Sequence, residues 1–318
     1  MKNSTLRQLR VFEAVARHLS FSRAAEELHL TQPAVSMQVQ SLEEVAGLAL
    51  FEQVGKKVSL TSGGIELLRH ARLIAQQLRE AGEALAAIRG VRGGRLTIGV
   101  VSTAKYFAPR LLMAFRSRHP DVELRLGVHN REIIVRQLTD NEIDLAIMGS
   151  PPKNFPTVAE VFAEHPLVII AAPDHPLARK RNILPADLAK EPFLIREPGS
   201  GTRAAMERFF VEHQTELADT LEMTSNETIK QAVMAGMGLS FISEHTIGLE
   251  VAAKRLVRLR VTGTPVVRHW HLVHRTEKRL LPAAIAFKEF MSANGARLIA
   301  TQENLSLPLS KRPAVPAT

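Results

Sequence analysis

The chain contains no cysteine. That excludes a disulfide framework and any metal site built on thiolates. No apolar run approaches the length of a membrane span. No secretory leader opens the chain: MKNST leads directly into a charged amphipathic segment, so a cytoplasmic protein is expected. Enzyme signatures are missing as well. There is no HExxH, GxSxG or P-loop, and Gly236 and Gly238 lack the third glycine of a dinucleotide-binding turn. No nucleophile with its base, and no acid–base pair, stands at a catalytic spacing, so the chain is not expected to be an enzyme. His269, His271 and His274 invite a metal reading. Strand alternation, however, puts His269 and His271 on one face and His274 on the other, with no carboxylate at a ligand spacing. Neither a metal nor a cofactor is expected.

The 318 residues, 45% of them hydrophobic, suit two or three domains with sizeable cores. The formal net charge is +9, but it is unevenly spread: residues 1–90 hold 11 Lys and Arg against 9 Glu, and the rest of the chain holds 30 against 23 acidic residues. Any nucleic-acid contact near the N-terminus therefore rests on shape and local placement. The excess positive charge further on suits an anionic ligand.

Residues 21–40, FSRAAEELHLTQPAVSMQVQ, read as two short helices joined by a tight turn. Phe21, Ala24, Ala25 and Leu28 recur at helical spacing, and the paired alanines let a neighbouring helix approach closely. His29 and Leu30 turn the chain. Thr31 is a good N-cap, and Pro33 sits in the following first turn, where its missing N–H costs nothing. The second helix is expected to bury Val35, Val39, Leu42 and Ala46. Its other face carries Gln32, Pro33, Ser36, Met37 and Gln40. Gln pairs bidentately with adenine, Ser contacts base or phosphate, and Pro and Met touch a thymine methyl. These residues cluster toward the N-terminal end, which a helix-turn-helix motif points at base edges. The plain alternative is a helical hairpin with a polar outer face.

Leu6, Leu9, Phe12, Val15, Ala16 and Leu19 give a helix before this pair, completing a three-helix core. After Gly47, LALFEQVGKKVSLT reads as a hairpin wing with Lys56 and Lys57 at its tip, placed for phosphate contacts or simply solvated. Thr61 or Ser62 can cap the next helix, which runs to about residue 89 and would be about 42 Å long. Leu67, Ala71, Ile74, Leu78, Ala81, Leu85 and Ile88 follow an alternating spacing of four and three. That is a seam for a second copy of the helix, against the alternative of packing on its own domain.

The pattern AAxxLxxTQPAVSxQVxxLE, then GxxLFE, then LTxxG and a long helix, resembles the LysR-type transcriptional regulators. Met37, Gln40, Ser41 and Gln53 depart from it, since that family often has basic residues there. The resemblance implies a winged helix-turn-helix domain over residues 1–61 and a linker and dimerisation helix over 62–90. It implies a C-terminal α/β, two-lobed, periplasmic-binding-protein-like domain over 95–295. Implied partners are promoter DNA, RNA polymerase and a small-molecule effector, in a homotetramer built as a dimer of dimers.

Residues 95–295 support that layout by their own alternation. Strands are expected at 95–101, 122–128, 143–148, 167–172, 193–195, 239–243 and 266–274. Helices are expected at 108–118, 131–139, 202–213, 227–235 and 282–291, implying parallel sheets with crossovers. The chain leaves one lobe near His165 and returns near Arg268, giving lobe I at about 95–165 and 268–295 and lobe II at about 166–267. Ligands bind in such clefts at strand carboxyl ends. Candidates there are Ser102, Thr103 and Lys105 after the first strand, and Arg196, Ser200, Thr202, Arg203 and Asn226 in the second lobe. Ser102, Thr202 and Asn226 also read simply as helix caps; together, the helix starts suit an anionic metabolite. Residues 301–318, with Pro308, Pro313 and Pro316, read as a disordered tail.

Within the family, the stretch from GVVSTAKYF to DLAIMGSPP is most similar to regulators of RuBisCO and Calvin-cycle operons. That implies activation of CO2-fixation genes by a phosphorylated or carboxylated metabolite. The alternatives are a regulator of another metabolic operon and a solute-binding protein without DNA affinity.

Overall fold

The computed structural model describes residues 1, 4–55, 57–88 and 93–305. Two compact units divide it, Met1–Val91 with Asp140–Glu142, and the rest of the chain.

In the first unit, α1 (Leu6–His18) starts at a capping box: Thr5 Oγ1 accepts from Gln8 N–H, and the Gln8 side chain accepts from Thr5 N–H at 2.8 Å. α2 (Phe21–Leu28) is capped by Ser20 and closed by His29 in the left-handed region. α3 (Gln32–Ala46) ends at Gly47. Ala24 and Ala25 are buried where these helices meet, beside Val11, Val15, Val35 and Val39. β1 (Phe51–Val54) and β2 (Lys57–Leu60) pair antiparallel as the wing.

α4 (Ser62–Ile88) is capped by Thr61, whose hydroxyl accepts from Gly64 N–H at 3.0 Å and donates to the Ala49 carbonyl at 2.7 Å. The glycine at 64 has a packing reason: a methyl group there would collide with the Leu50 carbonyl. The helix start thus lies directly on the wing, and Leu68 and Ala71 join Leu9, Phe12, Leu42 and Leu50 in one core.

The second unit is built on β3 (Gly94–Val101), α5 (Ala108–Arg116), β4 (Val122–His129), α6 (Arg131–Thr139), β5 (Leu145–Met148) and β6 (Thr157–Ala171). There follow β7 (Phe193–Arg196), α7 (Gly201–Glu212), β8 (Thr220–Met223), α8 (Asn226–Met234), β9 (Leu239–Ser243), α9 (Gly248–Ala252), β10 (Val257–Arg258), β11 (Val266–Arg275) and α10 (Pro282–Leu305). β3 pairs parallel with β4 and β5, and β7 with β8 and β9. Rather than forming separate sheets, both sets join one sheet in the order β4-β3-β5-β11-β6-β9-β7-β8. The joint is the antiparallel pair β6 and β11, in which His165 stands directly opposite Arg268. Each half keeps its own core: Phe107, Phe115, Trp270 and Phe287 in the first, Phe193, Phe209, Phe210 and Phe241 in the second.

Two expectations are corrected here. β6 starts ten residues earlier than residue 167; Pro166 is tolerated because its pairing with β9 begins only at Leu167. The terminal helix continues past residue 291, so residues 301–305 are helical rather than tail, and 306–318 lie outside the described residues. The register between β6 and β11 shifts at Trp270 and His271 because β6 carries the extra residue, Phe162; alternation along β11 itself continues, with Trp270, Leu272 and His274 buried and His269 and His271 on the more open face. Among the described residues no cluster of His, Asp or Glu could hold a metal ion.

Candidate DNA-reading helix and effector pocket

α3 owes its position to its caps. Thr31 Oγ1 accepts from Ala34 N–H at 3.4 Å, and Pro33 occupies the first turn. Val35, Val39 and Leu42 are buried, which leaves Gln32, Pro33, Met37 and Gln40 exposed and Ser36 half-exposed. Ala46, expected inside, is only half-buried, because it is the last residue before the turn at Gly47. Met37 is 68% exposed, an apolar side chain projecting from a polar face. Gln32 Nε2 donates to Ser36 Oγ at 2.9 Å, so the two candidate readers are already coupled. Lys57 is exposed at the wing; Lys56 lies outside the described residues.

Along α4 the apolar seam divides. Leu67 is half-buried and Ala71 buried, both against the unit's own core. Further along, Ile74, Leu78 and Leu85 are 40, 50 and 62% exposed, and Ala81 is exposed too. The side chain of Ile88 lies outside the described set.

The pocket of the second unit lies where the two halves of the sheet meet. Ser102 and Thr103 from the end of β3 line it, facing Ser200 and Thr202 at the start of α7. Sequence reasoning missed Asn130, Arg131, Ser150, His165 and Arg268, the other polar side chains of the lining. Arg131 was legible: it opens a helix directly after a strand, the same signal that pointed to Ser102. Its Nε donates to the Ser150 carbonyl at 3.1 Å.

Arg268 ties the halves together. It donates from Nη2 to the Gly149 carbonyl at 2.6 Å and from Nη1 to the Gly201 carbonyl at 2.9 Å. Burial, with Arg208 and Arg131 nearby, pulls its guanidinium down to about 10. No carboxylate lines this pocket among the described residues, so its field is positive.

Four of the eight candidates stand elsewhere. Arg196 is buried and its guanidinium is engaged by Glu197, by Asn226 Oδ1 at 2.7 Å and by Ser102 Oγ at 3.3 Å. Asn226 is not a cap: Ser225 takes that role, and Asn226 is the acceptor for Arg196. Arg203 points to Glu207, Glu222 and the Arg196 carbonyl. Lys105 lies over the Tyr106 ring, 3.9 Å from Glu227. Thr202 does line the pocket, but Ser200 caps α7.

A second bridge joins the halves outside the pocket. Tyr106 Oη donates to Glu227 Oε1 at 2.5 Å, and Lys230 Nζ lies 3.1 Å from Glu227 Oε2 and 2.6 Å from Glu250 Oε1. Burial raises the Glu227 carboxyl, but the hydrogen bonds from Tyr106 and Lys230 outweigh it and leave it below the usual carboxylate value.

A capped helix with a polar outer face, a wing, and a cation-lined pocket between two half-sheets suit a ligand-responsive DNA-binding regulator. Two sequence profiles agree: "Bacterial regulatory helix-turn-helix protein, lysR family" matches residues 6–65, and "LysR substrate binding domain" matches residues 89–296. The chain belongs to the LysR family and is a transcriptional regulator rather than an enzyme. A RuBisCO operon transcriptional regulator of Allochromatium vinosum is 55% identical over 294 residues, covering 92% of this chain and 97% of that protein. The CcmR regulatory domain of Synechocystis PCC6803, solved in complex with 2-PG, is 41% identical with a TM-score of 0.61, covering 63% of this chain and 96% of that one. Full-length CbnR complexed with its target DNA is 26% identical with a TM-score of 0.65, covering 91% of this chain and 99% of that one.

Proposed function

We propose that the chain is a cytoplasmic activator of RuBisCO and Calvin-cycle CO2-fixation genes, controlled by a small phosphorylated or carboxylated metabolite. The observation that carries this is a pocket with two guanidiniums and no described carboxylate in its lining, in a chain that also presents a polar, capped reading helix. The A. vinosum relative supports the target genes, and the 2-PG complex of the Synechocystis domain supports a small phosphorylated anion.

In this proposal residues 1–61 read DNA through Thr31, Gln32, Pro33, Ser36, Met37 and Gln40, with Lys56 and Lys57 on phosphates. Residues 62–90 pair two copies along Ile74, Leu78, Ala81, Leu85 and Ile88, with Leu67 and Ala71 anchoring the helix to its own reader. Residues 95–295 hold the effector between lobes that hinge at His165 and Arg268. Arg131 and Arg268 take the charged group, and Ser102, Thr103, Ser200 and Thr202 donate hydroxyls. Two dimers form the tetramer that engages RNA polymerase.

A mobility-shift titration with the RuBisCO promoter of the host, against an unrelated operon's promoter, tests this. The expected result is a preference for the RuBisCO promoter that survives competitor DNA. Equal affinity for both would reject the assigned operon, and preference for the other promoter would favour a regulator of a different metabolic operon.

A further inference from the structure

One wall of the pocket is a side chain whose polar atoms are unused. His165, on β6, is 3% exposed and lines the pocket, yet neither ring nitrogen has a hydrogen-bond partner among the described residues. The ring is held in place. It stacks on Trp270 with centroids 3.8 Å and planes 15° apart, and Gly149 sits so close that a methyl group there would collide with Nδ1. The titratable groups around it are Arg268 and His271 on β11, His245 on the short turn after β9, and Arg131 across the pocket on α6. None is acidic. Burial first, then the charge of Arg268, keeps the ring neutral well below its ordinary value.

We propose that His165 contacts the effector and takes up a proton when a phosphate dianion enters the pocket, so that the regulator binds its anion more tightly as pH falls through neutrality. This rests on the effector reading above. Two charges of the dianion, set against Arg131 and Arg268, reverse the sign of the field at the imidazole. A ring nitrogen that had no partner then gains one, and the protonated ring donates a charge-assisted hydrogen bond. The proton comes from the buffer, and no covalent bond other than N–H is made.

Calorimetric titration of the full-length protein with 2-phosphoglycolate and with orthophosphate tests the proposal. It is run in two buffers of different ionisation enthalpy, for the wild type and His165→Phe, which keeps a ring against Trp270. Near pH 7 to 8 2-phosphoglycolate is already mostly dianionic, so it adds little to the proton count; orthophosphate itself titrates in this window, so for it only the difference between wild type and variant is read. The wild type is expected to take up to one proton more per site than the variant. Its affinity for 2-phosphoglycolate falls across that unit by several-fold, with about tenfold the ceiling for one proton, while the variant stays flat. Nitrogen-15 spectra of the wild type, expected to show a ring passing from neutral to protonated on adding 2-phosphoglycolate, need no variant at all. Equal proton counts, or a ring that stays neutral, would overturn the proton step alone. Binding of neither anion would overturn it together with the effector reading.

Discussion

At the scale of residues, the chemistry turns on which polar groups the fold leaves available. Gln32 and Ser36 are bonded to each other at 2.9 Å, so each pre-orients the other. Gln32→Ala or Ser36→Ala is expected to weaken operator binding by about 1–3 kcal/mol. The double variant should fall short of the sum, since residues in one hydrogen-bond pair couple. Fluorescence anisotropy with operator and scrambled DNA reads both effects. The buried histidines set the acid limit of the fold. Burial lowers His245 from 6.5 to about 4, and its Nδ1 accepts from Trp270 Nε1 at 3.4 Å, a bond that protonation would remove. His165 is lowered as well. The unfolded chain binds these protons near 6.5 and the folded one does not. Their contribution is therefore complete above 6.5 and is lost as pH falls toward 4. Thermal unfolding scans should show Tm dropping through this window, and His245→Gln should shrink the drop. Sequence alone showed the cations but not their partners. Glu222 reaches Arg203 only because β8 lies beside β7, and His165 becomes a pocket residue only once its register with Arg268 is known.

At the scale of elements, α4 divides along one seam, and the proposal gives each part its own task. Its first turns, at Leu67, Leu68 and Ala71, complete the core of the reader; its later turns expose Ile74, Leu78 and Leu85. An apolar stripe left in water is costly by about 25 cal/mol for each Å², and pairing two such helices removes it. If the proposed pairing holds, the wild type sediments as a dimer or larger in analytical ultracentrifugation, and Leu78→Glu converts it to monomers with the helix content by circular dichroism unchanged. Retention of the dimer would show that pairing uses another surface. The helices were legible because caps and spacing agree: Thr31 and Gly47 bound α3 where the apolar spacing stops. The first part of β6 was not legible. Glu160, Glu164 and Pro166 interrupt its apolar character, and its strand state comes from ten-residue pairing with β11.

At the scale of the whole molecule, two observations meet in one chain: a capped helix with a polar outer face, and a positively charged pocket at the joint of two half-sheets. The pocket is spanned by contacts that a ligand can contest. Arg268 holds carbonyls from both halves, and an anion offers the same guanidinium a charged acceptor. In the proposed oligomer, the response can be no larger than the effector's difference in affinity between two arrangements. The most direct measurement is a DNase I footprint of the wild type and of Arg268→Ala on the RuBisCO promoter, with and without 2-phosphoglycolate. The account predicts that the ligand changes the wild-type footprint and leaves the variant's unchanged. An identical ligand response in both proteins, or none in the wild type, would contradict it.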